Sequence, residues 1–571
     1  MNKSKKNIKI MNFIKNFISI LLLIPLVLVS CDSGLVEINE NPNGVVPSES
    51  HPNLLISTVM TGLATSTTSR GFAGDTGVGA QYTQRDSWSD NKYDWGTGSI
   101  WSTNYNLLRT NKLANDRAVE LGLEFHEGVT LVLKSMLFGA LADYYGDIPY
   151  TEATTGNQID GTSRPAYDTQ QEVYMGVIAD LERASTLLSG TIFTDIDPNQ
   201  DVFYHGDPEK WERLANSLLL RYYMRLSEKD PSTAQDGVVA TLAKQLIVSA
   251  DDDCILAYVG GTENQSWPNS GQFGSASDFY RVKPCSTLTD KLDELSDPRM
   301  NIWFAPVEIP TIVVPAAEVP GGGDIGELDG VRYISDATIG VDYAIYSAST
   351  YAADLEAGLK LVDTNPVYVG LPVAVSSIDP FEYNLNFEGA RGGKNPYVSK
   401  MNDIFNQKED GGEFLKARLM SAAEVHFLMA EAAQRNWGSD TQGHYEMGIQ
   451  ASLDAWGMGD EYTDYIDNVG VAFDGSLAQI MEQKWIANMF NGDQAYLDWR
   501  RTGLPAFVAG PFAREDVMPL RFIYPADEIN INGDNYNIGA STLVETSYST
   551  TDPNDSPYAR PWIVQELSSP W

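Results

Sequence analysis

Apolar side chains recur every three to four residues in several long stretches, a pattern typical of packed α-helices. The clearest stretch, from Val129 to Tyr144, is apolar around most of a helical circumference and predicts a deeply packed helix that stops at Gly146. Another helix is predicted to begin at Pro208, with Asp207 as its N-cap residue. The fold class predicted from these stretches is mostly α.

The helical pattern returns in the C-terminal third of the chain. Residues Leu419 to Arg435 are rich in alanine, which lets neighbouring helices approach closely, and a partner helix is predicted from about Gln442 to Trp456. Such pairs indicate a scaffold of helical hairpins like that of tetratricopeptide proteins, although no fixed consensus of ~34 residues recurs.

The stretch from about residue 250 to 410 has a different composition. It is rich in Gly, Pro, Asn and Ser and holds short β-branched runs such as Ile312 to Val314. It therefore predicts an irregular, loop-rich region with a few short strands on the helical scaffold. Loops on a rigid frame commonly carry function, so a ligand is expected here.

The N-terminus has the composition of an export signal. Lysines precede an apolar run from Ile18 to Val29, which is too short to cross a bilayer that needs ~20 apolar residues. Leu28-Val29-Ser30-Cys31 resembles the lipobox of bacterial lipoproteins, with Cys31 as the acylated residue. An ordinary signal peptide with an incidental cysteine is the alternative.

This reading divides the chain into three parts. Residues 1–30 are the predicted lipoprotein signal peptide, residues 31–50 a polar, turn-rich lipidated tether, and residues 51–571 a single body. One lipid-modified cysteine predicts a body held at a membrane surface by its anchor.

Charge narrows the classes of partner. The chain carries 77 acidic against 39 basic residues, a formal charge of −38, and the leader holds five of its lysines and none of its acids. No basic cluster follows Cys31, so nucleic acid is excluded as a partner, and neutral or cationic ligands are favoured over polyanions.

Motifs for catalysis or cofactors are weak. The five histidines show no metal-ligand spacing, no Gly-x-Ser-x-Gly elbow occurs, and 77 acids make any carboxylate pair for glycoside hydrolysis uninformative. No cofactor is therefore expected. The alternation Asp195, Asp197, Asn199, Asp201 leaves open a calcium site or a solvated turn. A disulfide between Cys254 and Cys285 is likewise left open, since an exported location permits one.

Aromatic residues in polar loops are the strongest chemical signal. Trp88, Tyr93 and Trp95 lie among Asp90, Asn91 and other polar residues without a helical or strand pattern, and Trp267 and Tyr280 lie in a second polar stretch. Flat rings beside amides and carboxylates suit sugars, because the rings stack on apolar sugar faces while polar groups bond hydroxyls. These seven residues are the predicted ligand-binding set; the alternative is that the rings pin loops to the scaffold.

Several motifs resemble those of SusD/RagB-like outer-membrane nutrient-binding lipoproteins, in the branch with a QKW…RRTG element. The segment Ala142–Ala153 resembles the hallmark D-x-Y-G-D-I-P-Y-x-E-A. Further similarities span nearly the whole mature chain: Lys210-Trp211 to Arg221, Asp297-Pro298-Arg299, Ala423-Glu424-Val425 to Ala432, Gln483-Lys484-Trp485, Trp499-Arg500-Arg501-Thr502-Gly503, and Pro519 to Pro525.

The resemblance implies a non-catalytic surface lipoprotein of tetratricopeptide-like helices. Such a protein captures an oligosaccharide, or in some members a peptide, and delivers it to a SusC-like TonB-dependent β-barrel transporter. The quoted motifs are expected to be mainly scaffold, so no ligand contact is transferred through them. A surface glycoside hydrolase and a scaffold that binds only proteins are the alternatives from other classes.

Overall fold

The computed structural model describes residues 50–85, 93–156, 158, 160–268, 270–273, 276–374, 395–409 and 411–571. Residues His51–Trp571 form one compact unit. The predicted leader, most of the tether and Cys31 lie outside the described residues, and so do Trp88, Asp90 and Asn91.

Consecutive helices pack side by side in the N-terminal half of the body. Pairs α1–α3, α3–α4, α4–α5, α5–α6 and α6–α7 are in contact, which confirms the predicted stack of helical hairpins. Their bounds are α1 Pro52–Ala73, α2 Asp75–Gly79, α3 Ile100–Leu121, α4 Glu124–Tyr145, α5 Gln170–Leu188, α6 Pro208–Arg225 and α7 Pro231–Thr241.

The two strongest helix predictions are confirmed. Helix α4 is buried along almost its whole length and stops at Gly146, whose φ of +91° ends the helical conformation. By length and apolarity it is the one helix among the described residues that would fit a bilayer, but it lies buried in the body as a core helix. Helix α6 begins at Pro208, and the Asp207 side chain accepts hydrogen bonds from the backbone N–H groups of Glu209 and Lys210.

Helices also dominate the C-terminal part. Helix α12 packs on α13, α15 and the N-terminal helix α6, and so joins the two helical groups. The bounds are α12 Ala422–Gln434, α13 Thr441–Asp454, α14 Tyr462–Ile466, α15 Leu477–Ala487, α16 Gly492–Thr502, α17 Ala526–Ile531 and α18 Gly533–Ala540.

One predicted helix start is wrong. The alanine-rich helix begins at Ala422, not Leu419, because Lys416–Met420 form an antiparallel strand with Cys254–Ala257. Ser421 separates the two elements and caps the helix by accepting a hydrogen bond from the N–H of Glu424 at 3.2 Å. Pairing with a distant strand overrides the local helical pattern.

The region between the helical groups is loop-rich with small sheets, as predicted, and the run at Ile312 is a strand. The ladders are β1–β3, β2–β11, β4–β10, β8–β9 and the three-stranded β5–β7–β6. The strands are β1 Thr83–Arg85, β2 Cys254–Ala257, β3 Val282–Pro284, β4 Phe304–Ala305, β5 Thr311–Val314, β6 Ile325–Leu328, β7 Val331–Ser335, β8 Tyr343–Ile345, β9 Lys360–Val362, β10 Lys400–Met401 and β11 Lys416–Met420. Four short helices also lie in this region: α8 Ala276–Arg281, α9 Ser286–Glu294, α10 Met300–Trp303 and α11 Tyr351–Glu356.

Cys254 and Cys285 are both free, buried thiols, so the disulfide is not formed. Cys254 opens β2, which pairs with β11, whereas Cys285 follows β3, which pairs with β1. The two residues therefore belong to different ladders. Burial raises the pKa of both thiols, which keeps them protonated and structural.

Buried ion pairs connect the elements that carry the quoted motifs. Arg221 forms two hydrogen bonds of 2.7 Å with the Glu424 carboxylate, and Arg501 binds Glu431 at 2.5 and 2.8 Å. Burial raises the pKa of Glu431, but Arg501 and its neighbours outweigh burial and hold that pKa below its ordinary value. The motif residues are thus scaffold, as the resemblance implied.

Candidate ligand-binding site

The short ladder β1–β3 pairs two strands that neighbour predicted aromatic stretches in the sequence. Arg85 pairs with Val282, and the chain runs from Arg85 directly into the segment that holds Trp88, Asp90 and Asn91. Tyr280 lies in α8, two residues before Val282 in the sequence. The pairing of Arg85 with Val282 thus places Tyr280 near the end of β1.

The Tyr280 side chain is half-buried and keeps part of its surface open. The Lys400 ammonium lies over its ring, 5.6 Å from the centroid, and the buried Phe279 ring meets it edge-on at 5.5 Å. Lys400 is itself held by Asp403 at 3.2 Å. Tyr280 is thus a positioned, partly exposed ring, which is the property a stacking residue needs.

Tyr93 and Trp95 lie in the core instead of on the surface. Tyr93 is fully buried, and its carbonyl accepts a hydrogen bond from the Tyr558 hydroxyl at 3.0 Å. The Trp95 ring is stacked on Phe522 with centroids 4.7 Å apart, and Tyr496 lies at 4.9 Å. A stacking platform needs an exposed ring face, and the structure gives these rings none. Both rings are part of the packed core.

Trp267 is likewise a core residue. Its ring is 2% exposed and contacts Phe72, Phe405 and Phe490 at centroid distances of 5.4–5.5 Å. Its burial at the centre of an aromatic cluster corrects its assignment to a wet loop. The alternative interpretation, that such rings pin loops to the scaffold, describes Trp267 and Trp95.

A polar group that the sequence reasoning missed lies at the other end of β3. The Tyr346 hydroxyl lies 3.0 Å from Asp290 Oδ2, to which it can donate, and 2.8 Å from the Ser286 hydroxyl oxygen, and Asp290 is exposed at the surface. Thr287 donates to the Gln81 side chain at 2.8 Å. Strand β3, whose three residues span about 10 Å, separates this group from Tyr280 along the chain. Hydroxyl, carboxylate and ring are groups that suit sugar units.

The sequence carried only a partial signal for this group. Ser286, Thr287 and Asp290 form a polar stripe at the start of α9, whereas Tyr346 comes from β8–α11, about 60 residues later. The contact between them depends on tertiary structure, which no local pattern encodes.

The acidic alternation before α6 organises a turn. The buried Asp201 carboxylate accepts hydrogen bonds from the backbone N–H groups of Phe203, Tyr204 and Gly206 at 2.8–3.1 Å, and from Trp211 Nε1 at 2.7 Å. Within the described part of the chain, no cluster of three or more His, Cys, Asp or Glu residues is placed to hold a metal ion. Asp201 is therefore committed to the turn and to Trp211.

Comparison with known proteins agrees with the fold. The sequence matches the family model SusD-like_2, described as "Starch-binding associating with outer membrane", over residues 43–319 and 382–525. No curated protein sequence matches the chain.

Solved structures with this fold cover nearly the whole body. A chitin-binding protein has a TM-score of 0.64 at 23% identity and covers 91% of this chain and 99% of its own. A SusD homologue from Bacteroides fragilis has 0.63 at 20% identity, covering 90% and 99%. A SusD-like protein from Bacteroides thetaiotaomicron has 0.62 at 20% identity, covering 90% and 98%.

At these identities the structural likeness establishes the tetratricopeptide-like fold alone. The family match is independent of it and spans most of the sequence, including the helices that the buried ion pairs connect. The chain therefore belongs to the SusD-like family of starch-binding proteins associated with the outer membrane.

Proposed function

We propose that this protein captures an oligosaccharide at the cell surface and delivers it, chemically unchanged, to a SusC-like TonB-dependent transporter. The observation that carries the proposal is the match to a starch-binding family over residues 43–319 and 382–525. The family is described by binding and not by catalysis, so its match favours a non-catalytic carrier over a surface hydrolase. A peptide cargo for the same carrier is the second candidate that the family resemblance supports.

The proposed binding face combines four predicted residues with two that the fold adds. Trp88, Asp90, Asn91 and Tyr280 remain from the sequence prediction, and Tyr346 with Asp290 supplies a hydroxyl and a carboxylate at the opposite end of β3. A sugar ring stacked on Tyr280 would have its hydroxyl groups bound by these polar side chains. Several moderate contacts, with no deep enclosed pocket needed, suit a carrier that must release its cargo.

The proposed attachment follows from the leader. Residues 1–30 would be removed, Cys31 acylated, and residues 31–50 would tether the body at 51–571 to the outer face of the outer membrane. One lipid-modified cysteine gives membrane association without a spanning helix. Metabolic labelling with an alkyne fatty acid should mark the wild-type chain and leave Cys31→Ser unlabelled. Equal labelling of both would contradict the anchor.

The binding proposal is tested by calorimetry with a panel of neutral glycans and peptides. Wild-type protein should bind at least one glycan, and Trp88→Ala and Tyr280→Ala should each weaken that binding about 10-fold, the ~1–3 kcal/mol of a lost stacking contact. Tyr462→Ala is the matched control, because this half-buried tyrosine lies on helix α14 outside the loop-rich region. Equal binding by all four proteins would refute the site, and a preference for peptides would refute the sugar assignment.

A further inference from the structure

A large cavity lies on the helical scaffold, lined by different residues from the proposed binding face. It has a volume of about 600 Å³ and lies between the outer face of α3 and the loop at residues 149–165. Ser102, Asn106 and Arg109 line one wall at helical spacing, and Thr154 and Thr162 line the other. A neighbouring cavity of about 360 Å³ shares Lys112, Asp116, Thr154 and Gln158 with it, so the two cavities adjoin. Below, "the groove" means these two cavities.

The loop wall of the groove is held in place by hydrogen bonds. The Asp168 carboxylate accepts from the N–H groups of Tyr150 and Thr151 at 2.9 Å and from the Thr151 hydroxyl at 2.8 Å. The Tyr105 hydroxyl reaches from α3 to the carbonyl of Pro149 at 2.7 Å and joins the two walls. These bonds tie the start of the loop to α3 and to Asp168, so a ligand would meet a preformed surface there and would lose little affinity to ordering it.

The lining has the chemistry of a sugar site. Tyr105 and Tyr150, both half-buried, supply ring surface, and hydroxyl and amide side chains surround them. The uncharged polar lining residues include Ser102, Asn106, Asn115, Thr154, Gln158 and Thr162. Leu108, Leu113, Phe138 and Pro165 add apolar surface. Rings beside hydroxyls and amides match the alternating apolar faces and hydroxyls of a saccharide.

The charge of the groove distinguishes it from the rest of a chain with net charge −38. Lys112 is paired with Asp116 at 2.8 Å and Lys134 with Asp180 at 2.7 Å, so these cations are balanced. Arg109 is exposed in the groove and donates to the Asn106 amide oxygen, and among the described residues it has no carboxylate partner. Its guanidinium therefore offers a fork of donors that fits a carboxylate on a ligand.

We propose that the groove binds an acidic oligosaccharide, with Arg109 holding the carboxylate of a uronate unit and Tyr105 and the surrounding hydroxyls and amides holding neighbouring sugar rings. The overall negative charge disfavours long polyanions, so short uronate oligomers are the expected ligands. Salt weakens this contact, because a half-exposed charge pair is screened.

The test uses the full chain in detergent and calorimetry with uronate trisaccharides, neutral hexose trisaccharides of the same linkage, and carboxylate-ended tripeptides. A uronate trisaccharide should bind more tightly than its neutral counterpart. Arg109→Gln should weaken that binding at least 10-fold and remove the preference for the acid. Ser102→Trp, an exposed helical position on the groove wall, should block binding sterically with every charge kept.

Two controls separate this site from the proposed binding face. Arg183→Gln makes the same change of charge on α5, at an exposed arginine paired with Glu127, and should leave binding unchanged. Tyr280→Ala should weaken neutral glycans at the loop face and leave uronate binding intact. Uronate binding that survives Arg109→Gln and Ser102→Trp, or that is lost with Tyr280→Ala, overturns the groove but leaves the proposed function standing. No uronate binding, or tighter binding of the tripeptide, also overturns it.

Discussion

The buried pair Arg221–Glu424 provides the sharpest test of how this scaffold is held together. It joins α6 to the start of α12, across about 200 residues of sequence, and the two side chains are 7% and 1% exposed. Arg221 also donates to the Leu419 carbonyl at 2.7 Å, at the end of β11. One guanidinium therefore satisfies groups from both a helix and a strand.

Removing only the arginine should be costly. Arg221→Met keeps the bulk of the side chain but leaves the Glu424 carboxylate buried without its cation, which costs about 3–5 kcal/mol of unfolding free energy. The double variant Arg221→Met, Glu424→Leu removes both charges and should recover more than half of that loss, with about 1 kcal/mol remaining for the unpaired Leu419 carbonyl.

The assay is equilibrium urea unfolding of the full chain in detergent, followed by tryptophan fluorescence. The control is Arg183→Met, which breaks the exposed pair with Glu127 and should cost under about 1 kcal/mol. If Arg221→Met cost no more than Arg183→Met, or if the double variant were less stable than Arg221→Met, the claim that this pair binds the scaffold together would be refuted.

Three further changes test other parts of the structure. Burial, together with the nearby His51, lowers the pKa of His126 to about 4, and Asp195 opposes this shift only weakly. The stabilising contribution of the buried, neutral His126 is therefore fully present above its unfolded pKa of about 6.5. It is lost as the pH falls from 6.5 toward 4. The unfolding free energy of wild type minus that of His126→Gln should be about 2–3 kcal/mol smaller at pH 4.5 than at pH 7. A titration midpoint near 6.5 for His126, measured by NMR in the folded protein, would contradict this. A Cβ added at Gly139 would lie 1.9 Å from the Tyr222 hydroxyl, so Gly139→Ala should lower the unfolding free energy by about 1–3 kcal/mol in the same urea assay. The control Gly533→Ala adds its Cβ in open space and should leave stability unchanged. Equal effects of the two substitutions would refute the close packing of α4 on α6. Because the Asp201 carboxylate already accepts four hydrogen bonds, millimolar calcium should leave the thermal midpoint unchanged, and a rise of several degrees that Asp201→Asn abolishes would show an ion there.

Local signals in the sequence predicted the helices well where the signal was complete. The apolar run of α4 with its terminating Gly146, and Asp207 with Pro208 before α6, each combine periodicity with a cap, and the structure has both helices within a few residues. The start of α12 was wrong because β11 pairs with residues more than 150 positions earlier. A local pattern has no access to such a partner.

The ligand-binding residues were harder to predict for the same reason. Trp95 follows Asp94 in sequence, yet its ring packs on Phe522, more than 400 positions away, so a polar sequence neighbour did not mean a wet environment. Asp94 itself points outward and pairs with Arg514 at 2.6 Å. The groove could not be predicted from the sequence, because helix α3 and the loop at residues 149–165 enclose a cavity only in the folded scaffold.

The central claim is that this protein binds an oligosaccharide and returns it intact. Equilibrium dialysis of the full chain in detergent against an end-labelled glycan that calorimetry has identified as a ligand, followed by mass spectrometry of the ligand, tests it directly. The account predicts saturable, reversible retention of the label with the glycan mass unchanged after prolonged incubation, and weaker retention by Trp88→Ala. Shorter products that accumulate with time, or retention that Trp88→Ala and Tyr280→Ala leave unaltered, would contradict it.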